Sequence, residues 1–536
     1  MTKKDKQIVI VGAGLAGLTA AAYLSREGYS VLLLEKNENC GGLITSFSHE
    51  GFVFDVGARS IENSGVIKPM LRDLGIEMEL LKSPVSLGIG SEILSITKME
   101  DLTKYKGLLI KNYPENKKDI DRIFKVIYKI SKSMEVIYGF DNPIFKKDFT
   151  HDKEYLIHEI LPWIGKFIFA VMHMNRMNEP INEFLEKYTS NQSLINIISQ
   201  HFFKETPTFF ALGYFYVYQE YFYPKGGTGT LTQKLANRIV ENEGKIQNNT
   251  IIQKIDPKRK VVFDNQGKEY KYSKLLWGAD LKEYYSILDI SQLSQEIKQK
   301  TQKQKDKVMA SRGGDSVFSL YLGVNKSLEY FSSISNGHFF FTPQNTGLGE
   351  INKKELTHIL KDFEKLQKKE ILEWIDKYCK LNTFEISIPA LRDPSLAPQG
   401  KSGLIVNLFF EYDLVKKIKD AGWYDEFKKE LEKIMIETLN NSIYPELKDN
   451  IIFQFSFSPL SYQNKVRTAE GGITGWTYQR PSPAISDLKK IAKSVKTTIP
   501  DIYQAGQWAY SPAGIPTAIL TGWYAWDAIN KILIEK

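Results

Sequence analysis

Lys6-Gln7-Ile8-Val9-Ile10-Val11-Gly12-Ala13-Gly14-Leu15-Ala16-Gly17 is the stretch whose reading decides the fold. Lys6 to Val11 is a short apolar run rich in β-branched residues, which reads as a buried strand. Leu18 to Arg26, rich in Ala and Leu, reads as a helix closed by Gly28. Tyr29 to Leu34 is a second apolar strand and ends at Glu35. Strand, G-x-G-x-x-G, helix, strand and acid in this register form the pattern that binds an ADP moiety. Gly12 allows the tight turn, Gly14 lets the backbone approach a pyrophosphate, and Gly17 lets the helix pack close to the strand. The helix N-terminus presents free N–H groups to the phosphates, and Glu35 is placed for the ribose hydroxyls.

The same opening could be taken for a secretory leader, because Lys3, Lys4 and Lys6 precede an apolar stretch. Three glycines within that stretch, the Arg26-Glu27 pair after it and the lack of a small-residue cleavage site argue against a leader. No run of about 18 apolar residues is free of charge, so no transmembrane helix is expected. The nearest approach is Leu161 to Met174, interrupted by Pro162 and Lys166.

The chain's 536 residues suffice for two or three domains. An apolar fraction of 42% and a charged fraction of 25% are those of an ordinary globular protein. Cys40 and Cys379 are the only cysteines, too few for a disulfide framework or a zinc site. The net charge of +8 reads either as attraction to an anionic membrane surface or, preferably, as a merely Lys-rich surface, and no basic stripe accompanies a nucleic-acid motif. Neither a metal-ligand spacing nor a Ser-His-Asp constellation is recognisable among the seven histidines. Metal and nucleic-acid roles are therefore not expected, and the catalytic residues are left unassigned.

Beyond Glu35 come Cys40-Gly41-Gly42-Leu43 and the strand-like Phe52-Val53-Phe54-Asp55-Val56-Gly57-Ala58-Arg59. A Gly-Gly turn crowds backbone N–H groups on a phosphate, and together these features point to FAD in preference to NAD. Phe202 to Tyr223 holds eleven aromatic residues. It reads either as an aromatic core or as the lining of a long apolar substrate tunnel. Tyr223 to Thr230 carries Gly226-Gly227-Thr228-Gly229 into a helix with Leu231, Leu235 and Ile239 on one face. Lys353 to Lys380 reads as one long amphipathic helix with a Lys-rich outer face. Asp393 to Lys401 is a turn-rich loop. Near the C-terminus, Ile502 to Trp508 reads as a strand ending at Gly506-Gln507. Pro512-Ala513-Gly514-Ile515-Pro516 then opens an apolar helix from Thr517 to Ile532. A helix N-terminus aimed at a flavin would stabilise the negative charge of its reduced form.

The glycine fingerprint, the Gly-Gly turn, the two loops and this closure, in this order along the whole chain, resemble the FAD-dependent phytoene desaturase and retinol saturase family. Gly506-Gln507-Trp508 and Asp393-Pro394-Ser395-Leu396-Ala397-Pro398 look more like its retinol-saturase-like branch. Amine oxidase relatives usually carry Asp where this chain has Gln507. The bacterial carotene desaturases usually carry a further glycine where this chain has Ala513.

The resemblance implies an α/β fold: a discontinuous Rossmann-like FAD-binding domain with a mixed-sheet substrate domain and a helical cap. The FAD domain is assigned to 1–70, 222–290 and 465–536, the substrate domain to 71–100 and 291–464, and an aromatic-rich cap or membrane-facing part to 101–221. The FAD contacts expected are Gly12, Ala13, Gly14, Leu15, Ala16, Gly17, Glu35 and Lys36 at the first turn, and Gly41, Gly42 and Leu43 at the second. Gly57, Ala58, Arg59, Ile252 and Ala279 follow, and Gly506, Gln507, Gly514, Ile515 and Pro516 close the set. The implied activity is saturation or desaturation of a C=C bond in a long apolar carotenoid, retinoid or other prenyl substrate. The implied setting is cytoplasmic, with peripheral contact at the inner face of a membrane. A flavin amine oxidase and a non-catalytic FAD-containing lipid carrier are the alternatives.

Overall fold

The computed structural model describes residues 6–146, 152–478 and 482–534. Lys3 and Lys4 lie outside the described residues. The strand Gln7–Val11 is the centre of a five-stranded sheet. Its neighbours are Ser30–Leu34 on one side and Lys274–Trp277 on the other, flanked by Lys245–Gln247 and Ile502–Gln504 at the edges. Every pairing is parallel, with Ile8 beside Val31 and Val9 beside Leu275. A parallel sheet is covered on both faces, which is why these strands read as unbroken apolar runs.

The helix Leu15–Arg26 and the C-terminal helix Ile515–Ile534 pack together on one face. The approach is close enough that a Cβ on Gly522 would lie 2.5 Å from the Ala16 carbonyl oxygen. Thr521 Oγ1 accepts the Gly506 N–H at 2.9 Å, tying this helix back to the turn that follows the last strand.

The second layer is a seven-stranded mixed sheet in the order Ile451–Phe457, Ser316–Val324, Ser402–Phe410, Phe384–Ser387, His338–Thr342, Val85–Ile89, Glu92–Ile96. Side chains alternate between its faces. Phe318, Leu320, Phe339, Phe384, Ile386, Val406 and Leu408 point into a core shared with the helices Lys368–Leu381 and Tyr424–Asn440. The intervening positions, Ser319, His338, Phe340, Glu385 and Asn407, belong to the opposite face.

The long helix expected over Lys353–Lys380 is two helices, Gly349–Asp362 and Lys368–Leu381. A 3₁₀ turn at Phe363–Lys365 breaks the run, because Phe363 turns into the core. Gln367 and Glu370 then form a capping box that starts a new helix.

A third core joins helices of residues 101–217 to Val85, Leu87, Ile89 and Ile96 at the edge of the mixed sheet. The helices Asp101–Asn112, Lys117–Tyr138 and Thr208–Val217 converge on Ile120, Ile127, Leu212 and Phe215. Here the expectation that no helix is long and apolar enough to span a membrane needs correcting. The structure carries one continuous helix over Lys153–Arg176, 24 residues long with a mean hydropathy of 1.4 in its most apolar stretch. Pro162 does not end it. A π turn at Leu156–Ile160 lies just before the proline, which falls in the first turn of the α-helical part.

Candidate functional site

An interior cavity of about 400 Å³ runs from the glycine fingerprint of the parallel sheet to the open face of the mixed sheet. At the fingerprint end, Gly12 has φ +98° and donates to the Leu34 carbonyl at 2.8 Å. A Cβ on Gly17 would lie 2.1 Å from the Gly12 oxygen, so this glycine serves helix–strand packing. Gly14 is different. Its φ of −70° suits any residue, and a Cβ there meets nothing within 4 Å. The space it leaves belongs to the cavity. No side chain caps the helix that starts at Leu15.

The Gly-Gly turn closes on the same point. Gly41 donates to the Ala13 oxygen at 2.8 Å, and Gly42, with φ +59°, sits against the Gly14 Cα. Glu35 accepts from the N–H of Ala13 at 2.8 Å and from that of Asn37 at 2.9 Å, which fixes its carboxylate at the tip of the second strand. An open backbone cradle, an uncapped helix N-terminus and an anchored acid beside them fit FAD. Leu15, Ala16, Lys36, Leu43, Gly57, Ala58, Arg59, Ile252, Ala279, Gly506, Gln507, Gly514 and Ile515 all line the cavity with Gly12, Gly14, Glu35, Gly41 and Gly42.

Three expected contacts do not. Ala13 is fully buried and presents its N–H to Glu35. Gly17 faces Gly12. Pro516 is buried in the first turn of the C-terminal helix, which it starts without reaching the cavity. These three shape the site from behind.

The loops at Tyr223 and Asp393 are structural props. Asp55 is fully buried and accepts four hydrogen bonds, from Ser46 Oγ at 2.7 Å, Tyr223 OH at 2.8 Å, Thr228 N at 2.9 Å and Thr228 Oγ1 at 2.8 Å. Asp393 accepts from the Gly226 N–H at 2.8 Å. Lys225 points outward to Glu79. The aromatic stretch divides between its two readings. Phe202, Phe203, Tyr214, Tyr218 and Tyr221 line the cavity, whereas Phe209 and Phe215 are in the helical core.

The substrate side of the cavity holds a group of residues that sequence spacing did not bring together. Glu385 accepts from Asn407 Nδ2 at 2.7 Å and pairs with His338 Nε2 at 3.1 Å. Asn407 Oδ1 in turn accepts from Arg59 at 2.9 Å and Ser319 Oγ at 2.6 Å. His338 Nδ1 meets Ser60 Oγ at 3.0 Å, and its ring stacks on Tyr221 with centroids 5.4 Å apart. Burial alone would raise the Glu385 pKa, but His338, Arg59 and Asn407 outweigh it and hold the carboxyl below its usual value. Burial lowers the His338 pKa despite the neighbouring carboxylate. Glu62, also on the cavity, is pushed up to about 7 by burial and has only its own backbone to oppose the shift. His201 is driven down to about 4 by burial. His338 is a histidine whose partners, Ser60 and Glu385, spacing in the chain does not reveal. The signal available in sequence was a His, a Glu and an Asn, His338, Glu385 and Asn407, in three otherwise largely apolar strands.

Residues 10–74 match the family described as NAD(P)-binding Rossmann-like domain. The 4,4'-diapophytoene desaturase (4,4'-diaponeurosporene-forming) of Staphylococcus haemolyticus is 21% identical over 96% of this chain and 96% of its own length. The all-trans-retinol 13,14-reductase of Danio rerio is 22% identical over 94% of this chain and 82% of its own. Over nearly its whole length the chain is thus similar to phytoene desaturase-like and retinol saturase-like proteins. Among solved structures, an oxidoreductase from Methanosarcina mazei shares the fold at 16% identity and a TM-score of 0.60, covering 99% of this chain and all of that one. The fingerprint end of the cavity is where an FAD dinucleotide fits.

Proposed function

We propose that this flavoenzyme saturates or desaturates a C=C bond in a long apolar carotenoid, retinoid or other prenyl substrate. The observation that carries the reading is the continuity of the cavity, which joins the dinucleotide cradle to a wall of Phe202, Phe203, Tyr214, Tyr218, Tyr221 and Phe340. FAD, held at Gly14, Glu35 and Gly41-Gly42, supplies the two-electron hydride chemistry when bound. The chain's own residues exclude water, orient the substrate and manage the proton. The names of the desaturase and reductase relatives support an apolar polyene as substrate.

The same proposal places the enzyme in the cytoplasm, lying on the inner face of a membrane through the helix over Lys153–Arg176. Ile157, Leu161, Ile164, Ile168 and Met172 recur at helical spacing and are 42–62% exposed, with Phe169 beside them at 66%. Trp163, on the other side, donates to the Val136 oxygen at 2.8 Å and stacks on Phe140. One face packs on protein and the other faces outward, the arrangement of a helix lying in a membrane surface.

The test is purification from a membrane-containing lysate, an absorbance spectrum and mass spectrometry of the extract. Bound FAD with a co-purifying polyene or prenyl lipid is the expected result. Flavin that small amines reduce and polyenes do not would overturn the reading.

A further inference from the structure

We propose that Glu385 is the proton-exchanging residue of this site, a catalytic base held in position by Asn407 and His338. The inference deepens the proposed function and rests on it. In the oxidative direction a hydride leaves one substrate carbon for the bound flavin, the two-electron acceptor. A proton leaves the adjacent carbon for the Glu385 carboxylate, and the electron pair of that C–H bond becomes the new π bond. In the reductive direction each transfer reverses, and protonated Glu385 returns the proton.

The argument is one of placement. The cavity's nucleotide end contains carboxylates that are already committed. Glu35 is held by two backbone N–H groups, Asp280 accepts from the N–H of Lys282 and of Ala469, and Glu283 pairs with Arg467. On the substrate side the acids are Glu62 and Glu385, beside His201 and His338.

Glu385 alone is part of a built row. Ser319, Asn407 and Glu385 are direct neighbours across three strands, and their side chains share one face of the mixed sheet. Asn407 is fixed from below by Arg59 and Ser319, so it can present only its amide to Glu385. His338 is fixed by Ser60 and by stacking on Tyr221. Both residues line the cavity, and the Glu385 side chain is 30% accessible against 3% for His338, so the carboxylate is the more open member of the pair. A carboxylate held at both oxygens, Oε2 by Asn407 and Oε1 by His338, and still accessible from the cavity is preorganised to exchange a proton through a remaining lone pair. The polar and charged groups facing it are His338, Asn407, Arg59, Arg392, Tyr218 and Tyr221. Among these the two arginines and His338 favour its ionised form.

The test uses the FAD-loaded enzyme, with 4,4'-diapophytoene and all-trans-retinol as probes. Wild type, Glu385→Gln, Glu385→Asp and Glu62→Gln are compared for flavin content, probe affinity, anaerobic single-turnover flavin bleaching against pH, and carboxyl infrared difference spectra. Glu385→Gln is expected to keep its flavin and bind the probe within about twofold of wild type. Its bleaching rate should fall by at least ~100-fold, the usual contribution of a general base. Glu385→Asp should recover part of the rate. Wild type should gain a protonated-carboxyl band as the flavin bleaches, and its rate should stay flat from pH 8 down to about 5, above the usual glutamate range.

These last two readouts need no variant and hold even where Glu385→Gln fails to fold. A wild-type acid limb near pH 7 that Glu62→Gln removes would overturn the assignment in favour of Glu62. Bleaching in Glu385→Gln within threefold of wild type would overturn it outright, as would loss of probe binding with an unchanged rate at saturation. Wild type that binds both probes and shows neither bleaching of oxidised flavin nor return of colour to reduced flavin removes the proposed reaction, and the base with it.

Discussion

Gly14→Val separates what the cofactor demands of the fingerprint from what the fold demands. At Gly14 the backbone has φ −70°, and an added Cβ meets nothing within 4 Å. A side chain there costs the folded protein little. Losing glycine stabilises by roughly 0.4–1 kcal/mol through the unfolded chain, and a poorer N-cap residue takes back a similar amount. The flavin-free variant should therefore unfold within ~1 kcal/mol of flavin-free wild type. The two isopropyl methyls would, however, stand in the cradle where backbone must approach the pyrophosphate. Wild type at FAD one hundred times its Kd gains about 2.7 kcal/mol from the cofactor, and the variant should gain none of it.

Gly17→Ala is the control. Its Cβ would lie 2.1 Å from the Gly12 oxygen, a backbone atom that cannot swing away. Overpacking of roughly 1–3 kcal/mol should outweigh the helix preference for alanine of about 1 kcal/mol. The assay is urea unfolding of both proteins with and without FAD, beside the flavin-to-protein absorbance ratio. A Gly14→Val protein that is yellow and fully loaded would refute the reasoning. So would one as destabilised without flavin as Gly17→Ala.

Asp55→Ala should lose on the order of 3–5 kcal/mol in urea unfolding, because four donors converge on this buried carboxylate and are left without an acceptor. A loss under 1 kcal/mol would show that the loop at Tyr223 is held by other means. Glu62 gives a pH signature. Its folded pKa of about 7 exceeds the unfolded value of 4.5, so the folded state binds the extra proton. Its favourable contribution is present below the unfolded value and is lost as pH rises towards 7, by at most about 3 kcal/mol. Glu62→Gln should flatten the fall in unfolding free energy between pH 5 and 7.5, and an unchanged slope would exclude the shift. Leu161→Glu with Phe169→Glu should weaken flotation with anionic vesicles at least tenfold, since each side chain gives up roughly 1.5–3 kcal/mol of apolar burial. Its melting temperature should stay put because both positions are exposed; equal flotation would remove this helix as the contact.

Legibility followed the range of the interactions. Gly12, Gly14, Glu35 and Gly41-Gly42 were readable because a phosphate cradle is built from adjacent residues whose backbone freedom is written in their identity. Runs such as Ile8 to Val11 and Leu275 to Trp277 were readable because parallel strands bury both faces. The break at Phe363 was not readable, since the Lys-rich periodicity continues across it and only the core beneath pulls that ring inward. Pro162 misled in the same way, because it falls in the first turn of the α-helical part, just after a π turn, and does not end the helix.

The chain by itself determined the nucleotide half of this protein. Turn, helix start and acid lie within thirty-odd residues, and local sterics leave one way to arrange them. The chemistry on the other side of the cavity was decided by tertiary structure. Ser319, His338, Glu385 and Asn407 come from four strands, and none has a neighbour in sequence that announces its role. The register of the mixed sheet sets Glu385 beside Asn407 and turns Glu385, Asn407 and His338 to one face. A slip of one residue in any of those strands would bury its polar side chain in the helical core, because successive side chains alternate. Period and local geometry can be read from a chain, whereas which strands meet is fixed only when the whole core packs.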